Sequence, residues 1–505
     1  MAVMTPYELK PEIGVQRDGT SFDTPKFTDA LWTRFYKERP QKMGGYSIID
    51  NGNGTIIRNL FSINAQNSII LYIGRPTGLW YMVINEDLST SGEFNVTPAG
   101  FVANSEITWS LDTISYNDID YILAMPLPNA SDISSITPGT LYYGIVGNPT
   151  ALTPVADAPQ ASGGMVTVGN YIFTYGSYGV ISWNDGNDLT TWPTANKITF
   201  ESTQFVAGAP VRSGPTLSAL FWGLDFVAQM SLNTATPPTF VSNYVSTQST
   251  LLSANCIISL DPYFYWIGNN SFYQFNASVV ELANTTNKEW FFNNLNRSEK
   301  EKVYGFANRI YNEIWWLAPF GDAIENTNAI VQQIDTQAWF DTANIPRTCA
   351  ISSSTQFPYP LMCSSQPIQN GSMPIYPIWI HEYGTDAIQL GQTLAIPASF
   401  TTNWIDVADI DPSMNVAVFD TLIPDIQQSE DMTVTFNLRG YPRSPGVVSS
   451  AYIISPTTEF ITVRQKASIF SLTFTSNVSG GAFLMGRTRL LVRPAGDERS
   501  GPSVS

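Results

Sequence analysis

Short apolar strands, rich in aromatic residues and separated by Gly, Asn and Asp turns, recur throughout residues 46–395 of the chain. Strands of this kind between such turns are typical of all-β proteins. The centres of the apolar sets are irregularly spaced and lie near Tyr72, Phe173, Phe226, Phe264, Trp315 and Trp379. Their spacing is too long for the strands of a solenoid and fits four-stranded propeller blades that carry insertions.

Several of these strands are apolar along their whole length instead of alternating with polar residues. "YIFTY" (171–175) and "EIWWLA" (313–318) are examples. Continuous apolar strands suit a position in which both faces are covered, as between neighbouring blades. We therefore predict an all-β fold whose body, residues 46–395, is a β-propeller with six irregular blades. A pair of β-sandwiches uses similar strands and turns and is the alternative.

The pattern changes near Pro397, beyond which the strands alternate more cleanly between apolar and polar residues, as in "MTVTFNLRG". Period-two alternation over long runs predicts a half-buried antiparallel sheet. Residues 396–505 are therefore predicted to form a separate, antiparallel β-sandwich-like domain. Helical signals are scarce, and the best lies in residues 287–306, where "SEKE" fits a Ser N-cap followed by acidic and basic residues.

Charge is distributed unevenly along the chain, whose formal net charge is −17. Residues 1–42 hold seven Lys/Arg against six Asp/Glu, and residues 439–505 hold eight against three. The middle, residues 43–438, therefore carries ten basic and 33 acidic residues, a net of −23. Between Arg75 and Lys197 there is no basic residue. Segregation of this kind bears on partners and steering, and not on the fold.

Charged residues make up only 13% of the chain, which is about half the usual share for a soluble domain. A chain with so few charges has much of its surface covered by something else. Large subunit interfaces are the natural candidate, because the cores of such interfaces are depleted of charge.

Targeting and redox signals are weak. Cys256, Cys349 and Cys363 are an odd set without C-x-x-C spacing, so we predict buried thiols and no disulfide framework. "MAVMTPYELK" lacks a cationic region followed by an apolar run, and no window is apolar enough for a membrane-spanning segment. We expect a soluble protein made in a reducing cytoplasm.

The sequence contains no recognisable constellation of catalytic residues. His381 is the only histidine, so a site with several histidine ligands is excluded. G-x-S-x-G, Walker and G-x-G-x-x-G motifs are absent. A single imidazole at the end of the apolar strand "IYPIWIHEY" is expected to be a structural or surface residue. The sequence therefore predicts no catalytic residue, no cofactor-binding residue and no metal ligand.

Paired carboxylates were considered because propellers host glycosidases. "DGNDL" (185–189), "NDID" (117–120) and "DPSMN" (411–415) are turn sequences in which Asp and Asn are favoured for backbone reasons. "SWNDGNDLTTW" (182–192) resembles the Asp-box turn of sialidase-like propellers, loosened by two residues and with Asn184 in place of the Asp. In those enzymes the box staples a blade turn, and the arginine cluster that binds an acidic sugar is missing here. We expect that the chain is not an enzyme.

Sequence-specific DNA binding is not expected either. A protein that reads a groove needs a basic face on a helix or ribbon, usually with a high pI, whereas the pI here is about 4.4. Phosphate attraction dominates DNA affinity, so the acidic body would repel a duplex.

The two ends of the chain resemble those of one protein family. "WTRFYKERPQKMGGY" (32–46) has an Arg-Phe pair, a short basic insert and a Pro-x-Lys-x-Gly-Gly-aromatic run. The closing segment has "RQK" (464–466), "FLMGR" (483–487) and "RLLVR" (489–493) in order. Both segments resemble the opening and closing segments of the tail nozzle family, also called tail hub or tail tube proteins, of short-tailed bacteriophages. Phe483 stands where that family often has Trp.

The resemblance implies a structural protein of the virion tail, made in the host cytoplasm, with a β-propeller and a platform domain. It implies a homo-oligomer, a hexameric ring below the portal and adaptor, that also holds tail fibre, spike or tail-tip proteins. Genomic DNA would pass transiently through the axial channel without sequence specificity. The alternative function is a glycan-binding or glycan-cleaving propeller that recognises a receptor.

The resemblance also suggests a role for the basic ends. Residues 1–45 would form an N-terminal arm that combines with residues 396–505 into the platform. Basic side chains of both segments would face acidic surfaces of neighbouring subunits or of the adaptor, since arginine makes bidentate ion pairs at interfaces. The predicted interface residues are Arg34, Lys37, Arg39, Lys42, Arg464, Lys466, Arg487, Arg489 and Arg493. For Arg489 and Arg493 the alternative is a solvated position on an edge strand.

Overall fold

The computed structural model describes residues 4–128, 139–200, 203–234, 239–260, 262–354 and 357–495. Strands dominate, and the first seven precede the propeller blades. They are β1 (Thr5–Glu8), β2 (Glu12–Val15), β3 (Lys26–Phe27), β4 (Asp29–Leu31), β5 (Thr33–Tyr36), β6 (Arg39–Lys42) and β7 (Tyr46–Asp50).

Consecutive stretches of the chain then form separate four-stranded antiparallel sheets, the blades. Blade 1 contains β8 (Asn59–Asn64), β9 (Ser68–Arg75), β10 (Gly78–Asn85) and β11 (Phe94–Asn95), and blade 2 contains β12 (Ile107–Tyr116), β13 (Ile119–Pro128), β14 (Tyr142–Ile145) and β15 (Thr153–Pro154). Blade 3 contains β16 (Gly164–Val168), β17 (Tyr171–Tyr175), β18 (Val180–Trp183) and β19 (Lys197–Thr199). Blade 4 contains β20 (Phe205–Val211), β21 (Ser218–Gly223), β22 (Val227–Asn233) and β23 (Thr239–Ser246).

The remaining blades complete the ring. Blade 5 contains β24 (Ile258–Leu260), β25 (Tyr263–Ile267), β26 (Phe272–Asn276) and β27 (Ser278–Glu281), and blade 6 contains β28 (Tyr304–Asn308), β29 (Glu313–Ala318), β30 (Asn328–Gln333) and β31 (Ala338–Thr342). Blade 7 is built on β32 (Arg347–Ile351) and β33 (Leu361–Ser364), carries the hairpin β34 (Ile368–Asn370) and β35 (Met373–Ile375), and continues with β36 (Ile378–His381), β37 (Ala387–Gln389) and β38 (Gln392–Leu394).

The N-terminal strand β7 closes the propeller. It lies between β36, to which it is antiparallel, and β37, to which it is parallel, so it supplies the fourth strand of blade 7. The first strands of successive blades contact one another in a circle, which closes where β32 of blade 7 packs against β8 of blade 1. Between blades 4 and 5 the contact is made by the 3-10 turn Ala254–Cys256, which precedes β24 and packs against β20. The prediction of a β-propeller is confirmed.

The predicted number of six blades is wrong, because the described residues form seven. The missed blade is blade 2, which lies in the long interval between the apolar centres at Tyr72 and Phe173. Its inner strand β12 mixes apolar residues with polar residues such as Ser110 and Asp112, which are only partly buried. The strand of blade 2 equivalent to β17 and β29 is β13, whose apolar run at residues 122–125 is fully buried, so the local signal of this blade was present and was overlooked.

The C-terminal segment forms sheets that include the N-terminal strands. Its elements are β39 (Ala398–Thr401), β40 (Ile405–Asp406), α2 (Val407–Ile410), β41 (Ala417–Ile423), β42 (Ile426–Gln428), β43 (Met432–Arg439), β44 (Val447–Val448), β45 (Tyr452–Ile454), β46 (Ile461–Ala467), β47 (Ile469–Ser476), β48 (Phe483–Met485) and β49 (Arg489–Pro494). β1 pairs with β49, β4 with β39, and β6 with β48. We call residues 4–45 and 396–495 together the platform.

Two sheets of the platform enclose a shared core, in the manner of a β-sandwich. One sheet has the order β1-β49-β41-β46, and the other is centred on β47 and β43. Phe419 of the first sheet packs against Phe436 and Phe470 of the second, with ring centroids 6.0 and 4.5 Å apart. The same apolar cluster continues into blades 6 and 7, through residues such as Phe340 and Met362. The platform and these two blades therefore share one hydrophobic core.

The predicted helix is shorter than expected and lies earlier in the sequence. α1 spans Lys288–Asn294, and "RSEKEK" forms a 3-10 turn, Arg297–Lys302, whose N-cap is Asn296 and not the predicted serine. The Asn296 side chain accepts a hydrogen bond from the Ser298 backbone N–H at 3.1 Å. Asparagine and serine are equivalent caps, so the sequence pattern alone did not decide between them. Two further 3-10 turns cover Ser177–Gly179 and Ala254–Cys256.

The inner strands leave a cavity along the propeller axis. Its central part, of about 380 Å³, is lined by inner-strand residues such as Asn59, Ser110 and Ala207. A second cavity of about 430 Å³ adjoins it and is lined by four carboxylates, including Glu299 and Glu325, and by two cations, Arg58 and Lys302. The three cysteines are free and buried. Within the described ranges, no helix is both long and apolar enough to cross a membrane.

Gly44 and Gly45 connect the platform to β7 where two backbones approach closely. The Gly45 N–H donates to the Gly384 carbonyl at 2.8 Å, and the Tyr383 N–H donates to the Gly45 carbonyl at 3.0 Å. A Cβ at position 45 would overlap the backbone of Asp386, and one at position 44 would overlap that of Glu382. The Gly-Gly pair of "PQKMGGY" is therefore needed for the close contact that sets β7 in blade 7.

Gly45→Ala is expected to lower the free energy of unfolding by about 1–3 kcal/mol. The added methyl group must push apart two packed backbones where Gly44 and Gly45 meet residues 382–386, a contact that we call the seam. The measurement is the midpoint of urea denaturation. Gly446→Ala is the matched control, since its nearest neighbour is an arginine side chain at 3.5 Å, and it should change stability by less than about 0.5 kcal/mol. Equal midpoints for the two variants would contradict this account of the seam.

Candidate functional site

Arg34, the first of the predicted interface residues, is fully buried inside the chain. Its Nε donates to Glu313 Oε1 at 2.9 Å, at the start of β29 in blade 6, and its Nη1 donates to Glu382 Oε2 at 2.9 Å, just after β36 in blade 7. The guanidinium also lies 3.6 Å from the ring centroid of Tyr311. The prediction that Arg34 faces a neighbouring subunit is wrong, because its partners are carboxylates of its own propeller.

The ionisation of this cluster follows from its burial. Burial lowers the pKa of Arg34, but the carboxylates of Glu313 and Glu382 outweigh that effect and raise it, so the guanidinium stays charged. Burial raises the pKa of Glu313, against the opposing effect of Arg34. The Gly44 N–H and the Asn308 amide also donate to Glu382, at 2.9 and 3.1 Å. The cluster is a hydrogen-bonded connection between the platform and two blades.

Lys42 is also buried inside the chain, so the prediction that it faces a neighbouring subunit or the adaptor is wrong. Its Nζ donates to the Gly481 carbonyl at 2.6 Å, within the platform. Burial lowers the pKa of Lys42, and the nearby carboxylate of Asp386 only partly opposes this. A lysine held in this way is not available to a partner protein.

Lys37 and Arg39 are exposed, at the tip of the β5–β6 hairpin. Lys37 and Glu38 adopt positive φ angles of 49° and 62°, which is the backbone of a tight two-residue turn. Among the residues that the structure describes, neither Lys37 nor Arg39 forms an ion pair. Lys37 Nζ lies 5.1 Å from the ring centroid of Tyr36. Both cations are therefore free to meet a partner.

The hairpin borders a groove of about 590 Å³ on the platform surface. Lys10, Lys26, Lys37, Arg39 and Arg487 line it, with Glu12, Glu38 and Asp425 among them. Arg487 has 71% of its side chain exposed, and its Nε lies 3.4 Å from Glu8 Oε1. The groove thus brings together three predicted interface residues, Lys37 and Arg39 from one end of the sequence and Arg487 about 450 positions later. They meet because β6 and β48 are paired.

The outer face of the sheet β1-β49-β41-β46 carries the other four predicted residues. Val418 of β41 lies opposite both Lys466 of β46 and Arg493 of β49, and Arg489 lies four residues before Arg493 on the same face. Arg493 Nε donates to Asp420 Oδ2 at 2.6 Å. Arg464 is exposed on β46 with a φ of 58°. We call the groove and this sheet face together the basic surface of the platform.

Three carboxylates on this surface, those of Glu8, Glu12 and Asp420, form ion pairs with its cations. The Lys10 side chain, hydrogen-bonded to Glu8, holds the pKa of that carboxyl below its usual value, with smaller contributions from Arg487 and Arg489. Cations outnumber carboxylates here, so the surface attracts anionic groups. Because it also contains carboxylates, it suits a protein surface with spaced charges better than a continuous line of phosphates.

His381 is buried, as part of a structural contact. Its Nε2 accepts a hydrogen bond from Arg347 Nε at 3.0 Å, and its ring stacks on Tyr46 with centroids 5.1 Å apart. Arg347 lies between the rings of Tyr46 and Trp379, 4.9 Å from each centroid. Burial and the neighbouring Arg347 hold the pKa of His381 well below its usual value, so the imidazole is neutral and accepts.

The Asp-box-like turn is also structural. Asn184 Oδ1 accepts from the Ile172 N–H at 2.7 Å, and its amide donates to the Tyr116 hydroxyl of blade 2 at 2.9 Å. The Asp188 carboxylate accepts from the backbone N–H groups of Thr190 and Thr191, at 2.6 and 2.7 Å. Its acceptors are therefore committed to the turn. Among the described residues, no group of three or more His, Cys, Asp and Glu side chains could hold a metal ion.

Sequence reasoning missed the residues that hold the platform in place. Glu313 opens the otherwise apolar strand "EIWWLA", and Glu382 follows the apolar strand "IWIH". A carboxylate beside a buried strand needs a buried cationic partner, and this signal could have pointed to Arg34. Lys10 and Lys26 of the groove were missed because nothing in the local sequence places them near residue 487.

Comparisons with known proteins identify no close relative of the chain. No protein-family profile and no curated protein sequence matches the chain. Among solved structures, an ancestral GH74 enzyme is 12% identical over 71% of this chain and 51% of that chain, with a TM-score of 0.42. A chain of the Mitotic Checkpoint Complex is 11% identical over 74% of this chain and 99% of its own length, with a TM-score of 0.36.

This chain therefore spans about half the length of the GH74 enzyme that it matches. The prediction that the chain is not an enzyme is contradicted by that match and is withdrawn. A likeness at 12% identity concerns the fold, and function has to be derived from sites.

Arg34→Met is expected to lower the free energy of unfolding by about 3–5 kcal/mol, because it leaves two buried carboxylates without a cation. Arg34→Met combined with Glu313→Gln and Glu382→Gln should recover a large part of this loss. Arg39→Met, which removes an exposed cation, should stay within about 0.5 kcal/mol of the wild type. Chemical denaturation of the four proteins is the measurement, and equal losses for the Arg34 and Arg39 variants would contradict the buried role.

His381 should make the protein less stable in acid. Its pKa in the folded chain is below the unfolded value of about 6.5, so below that pH the unfolded chain binds a proton that the folded chain does not. His381→Gln stays neutral and keeps an acceptor for Arg347. Between pH 7.5 and 5.0 the wild type should lose up to about 2 kcal/mol more stability than this variant.

The measurement is the free energy of unfolding of both proteins at each pH. Buried carboxyl groups with raised pKa values, such as Glu313 and Asp341, change stability in the opposite direction. They are present in both proteins, so the difference between the two curves isolates His381. Parallel curves would show that the imidazole is not held neutral.

Proposed function

We propose that the chain is a structural subunit of the tail of a short-tailed bacteriophage, one protomer of a nozzle ring through which DNA leaves the virion. The observation that carries the proposal is the proximity of the two segments that resemble that family. β5 and β6 come from residues 32–46, and they share a sheet with β48, from the closing segment. β49, also from the closing segment, pairs with β1. The resembling residues thus form one unit of the fold.

That unit has the properties of an assembly surface. Five of the nine predicted cations, Lys37, Arg39, Arg464, Arg487 and Arg489, have exposed side chains on the platform. Lys466 and Arg493 are half-buried on the same sheet face. In the ring this surface would meet protein, either a second copy of the chain or the portal and adaptor, while distal parts of the nozzle would hold fibre, spike or tip proteins.

The acidic body would serve the passage of DNA. Residues 43–438 carry a net charge of −23, and such a surface repels phosphate at short range. A channel bordered by these subunits would let a duplex slide without binding to the wall. The proposed ring is hexameric and belongs to the virion, with synthesis in the host cytoplasm.

The test is electron microscopy of the purified protein in negative stain, combined with sedimentation velocity. We expect rings with an axial hole and a sedimentation coefficient well above that of a 55.7 kDa monomer. Repeating the measurement with isolated adaptor should add density to one face of the ring. Single propeller-sized discs at every concentration, together with binding to immobilised glycans, would contradict the proposal and favour receptor recognition.

A further inference from the structure

One arc of the propeller is entirely without cations. Residues 76–196, which build the two outer strands of blade 1, all of blade 2 and the first three strands of blade 3, contain eleven Asp and Glu residues and no Lys, Arg or His. We call this segment the acidic arc. Within the described part of the chain, only one of its carboxylates, Glu93, forms an ion pair, with Arg75. The other described carboxylates of the arc form no ion pair.

Some of these carboxylates are at the tips of turns, where a partner can reach them. Asp118 lies at the two-residue turn between β12 and β13, with Asn117 and Asp118 at φ angles of 52° and 62°. Asp120 follows at the start of β13, and Glu86 lies in the turn after β10. All three acidic side chains are exposed. The hairpin of blade 2 therefore presents carboxylates at a narrow, protruding end.

The basic surface is located on another part of the same molecule. The platform packs on blades 6 and 7, as its shared core and the Arg34 cluster show. Among the described residues, the groove cations Lys37, Arg39 and Arg487 form no ion pair with the acidic arc. One chain thus carries two surfaces of opposite charge that do not neutralise each other.

We propose that the basic surface of the platform binds the acidic arc of a second copy of this chain, with the blade 2 hairpin tip in the platform groove. This inference rests on the proposed function and identifies the partner of its assembly surface. The groove volume of about 590 Å³ is in the range of sites that enclose a ligand, roughly 300–1,000 Å³, and so it accepts a protruding turn. Lys37 and Arg39 lie at its edge without ion-pair partners among the described residues.

The charges favour a second copy over nucleic acid. Glu12, Glu38 and Asp425 lie within the groove and would repel a phosphate chain, whereas a protein turn can place its carboxylates between them. Two different surfaces that bind each other make a heterologous, head-to-tail contact. Such contacts produce closed rings when the rotation between copies allows it.

The experiment is a charge exchange between two variants. Lys37→Glu/Arg39→Glu makes the groove edge acidic, and Glu86→Lys/Asp118→Lys makes the arc basic. Sedimentation velocity over a range of concentrations, at 50 and 500 mM salt, measures self-association. Each variant alone should associate at least tenfold more weakly than the wild type, and salt should weaken the wild type in the same direction.

Mixing the two variants should restore assembly. The reversed groove of one variant then meets the reversed arc of the other, and the remaining pair of surfaces is native. Lys300→Glu is the matched control, because Lys300 is an exposed lysine of the body, and it should associate like the wild type. Thermal unfolding checks that every variant is folded, which the absence of described ion pairs at Lys37 and Arg39 favours.

The outcomes separate this inference from the proposed function. Rings that form unchanged with Lys37→Glu/Arg39→Glu would overturn the inference and leave the nozzle proposal standing. Failure of the mixture to assemble, when the wild type does, would also overturn it. A wild type that stays monomeric and binds duplex DNA or adaptor through the same residues would show that the occupant of the groove is not a second copy.

Discussion

The strand β7 is the constraint on which the architecture depends, because the propeller closes only when this N-terminal strand lies between β36 and β37. Four residues before it the chain is still in the platform, in β6, so closure of the ring fixes where the platform begins. The Gly44–Gly45 pair permits this by letting two backbones touch. The platform and the last two blades therefore share one hydrophobic core, although the platform is built from both ends of the chain.

The Arg34 cluster shows why a count of basic residues does not identify a surface. Arg34 and Arg39 belong to the same run of sequence, yet one is enclosed by two carboxylates and a tyrosine ring and the other is solvent-exposed. A buried ion pair contributes little net stability over apolar packing. It does penalise every arrangement in which the guanidinium loses its partners, so it specifies how the platform is oriented on blades 6 and 7.

The propeller was predictable because buried strands leave a local signal, an unbroken apolar run such as that of β29. Blade 2 was overlooked although its second strand β13 contains such a run at residues 122–125. Only its inner strand β12, which faces the axial cavity with Ser110 and Asp112, has a mixed pattern. The basic groove was only partly predictable. Its cations come from both ends of the chain, and the β6–β48 pairing that joins them is a long-range contact with no local trace in the sequence.

Head-to-tail assembly depends on angle as well as on charge. Complementary charges select the partner and increase the rate of encounter, but the rotation between copies decides between a closed ring and an open filament. That rotation is set by the orientation of the basic surface relative to the acidic arc within one chain. The seam at β7 and the buried cluster around Arg34 fix this orientation, because both connect the platform rigidly to the last two blades. In the proposed ring, the buried charges would therefore contribute to the geometry of assembly by holding the exposed ones in place.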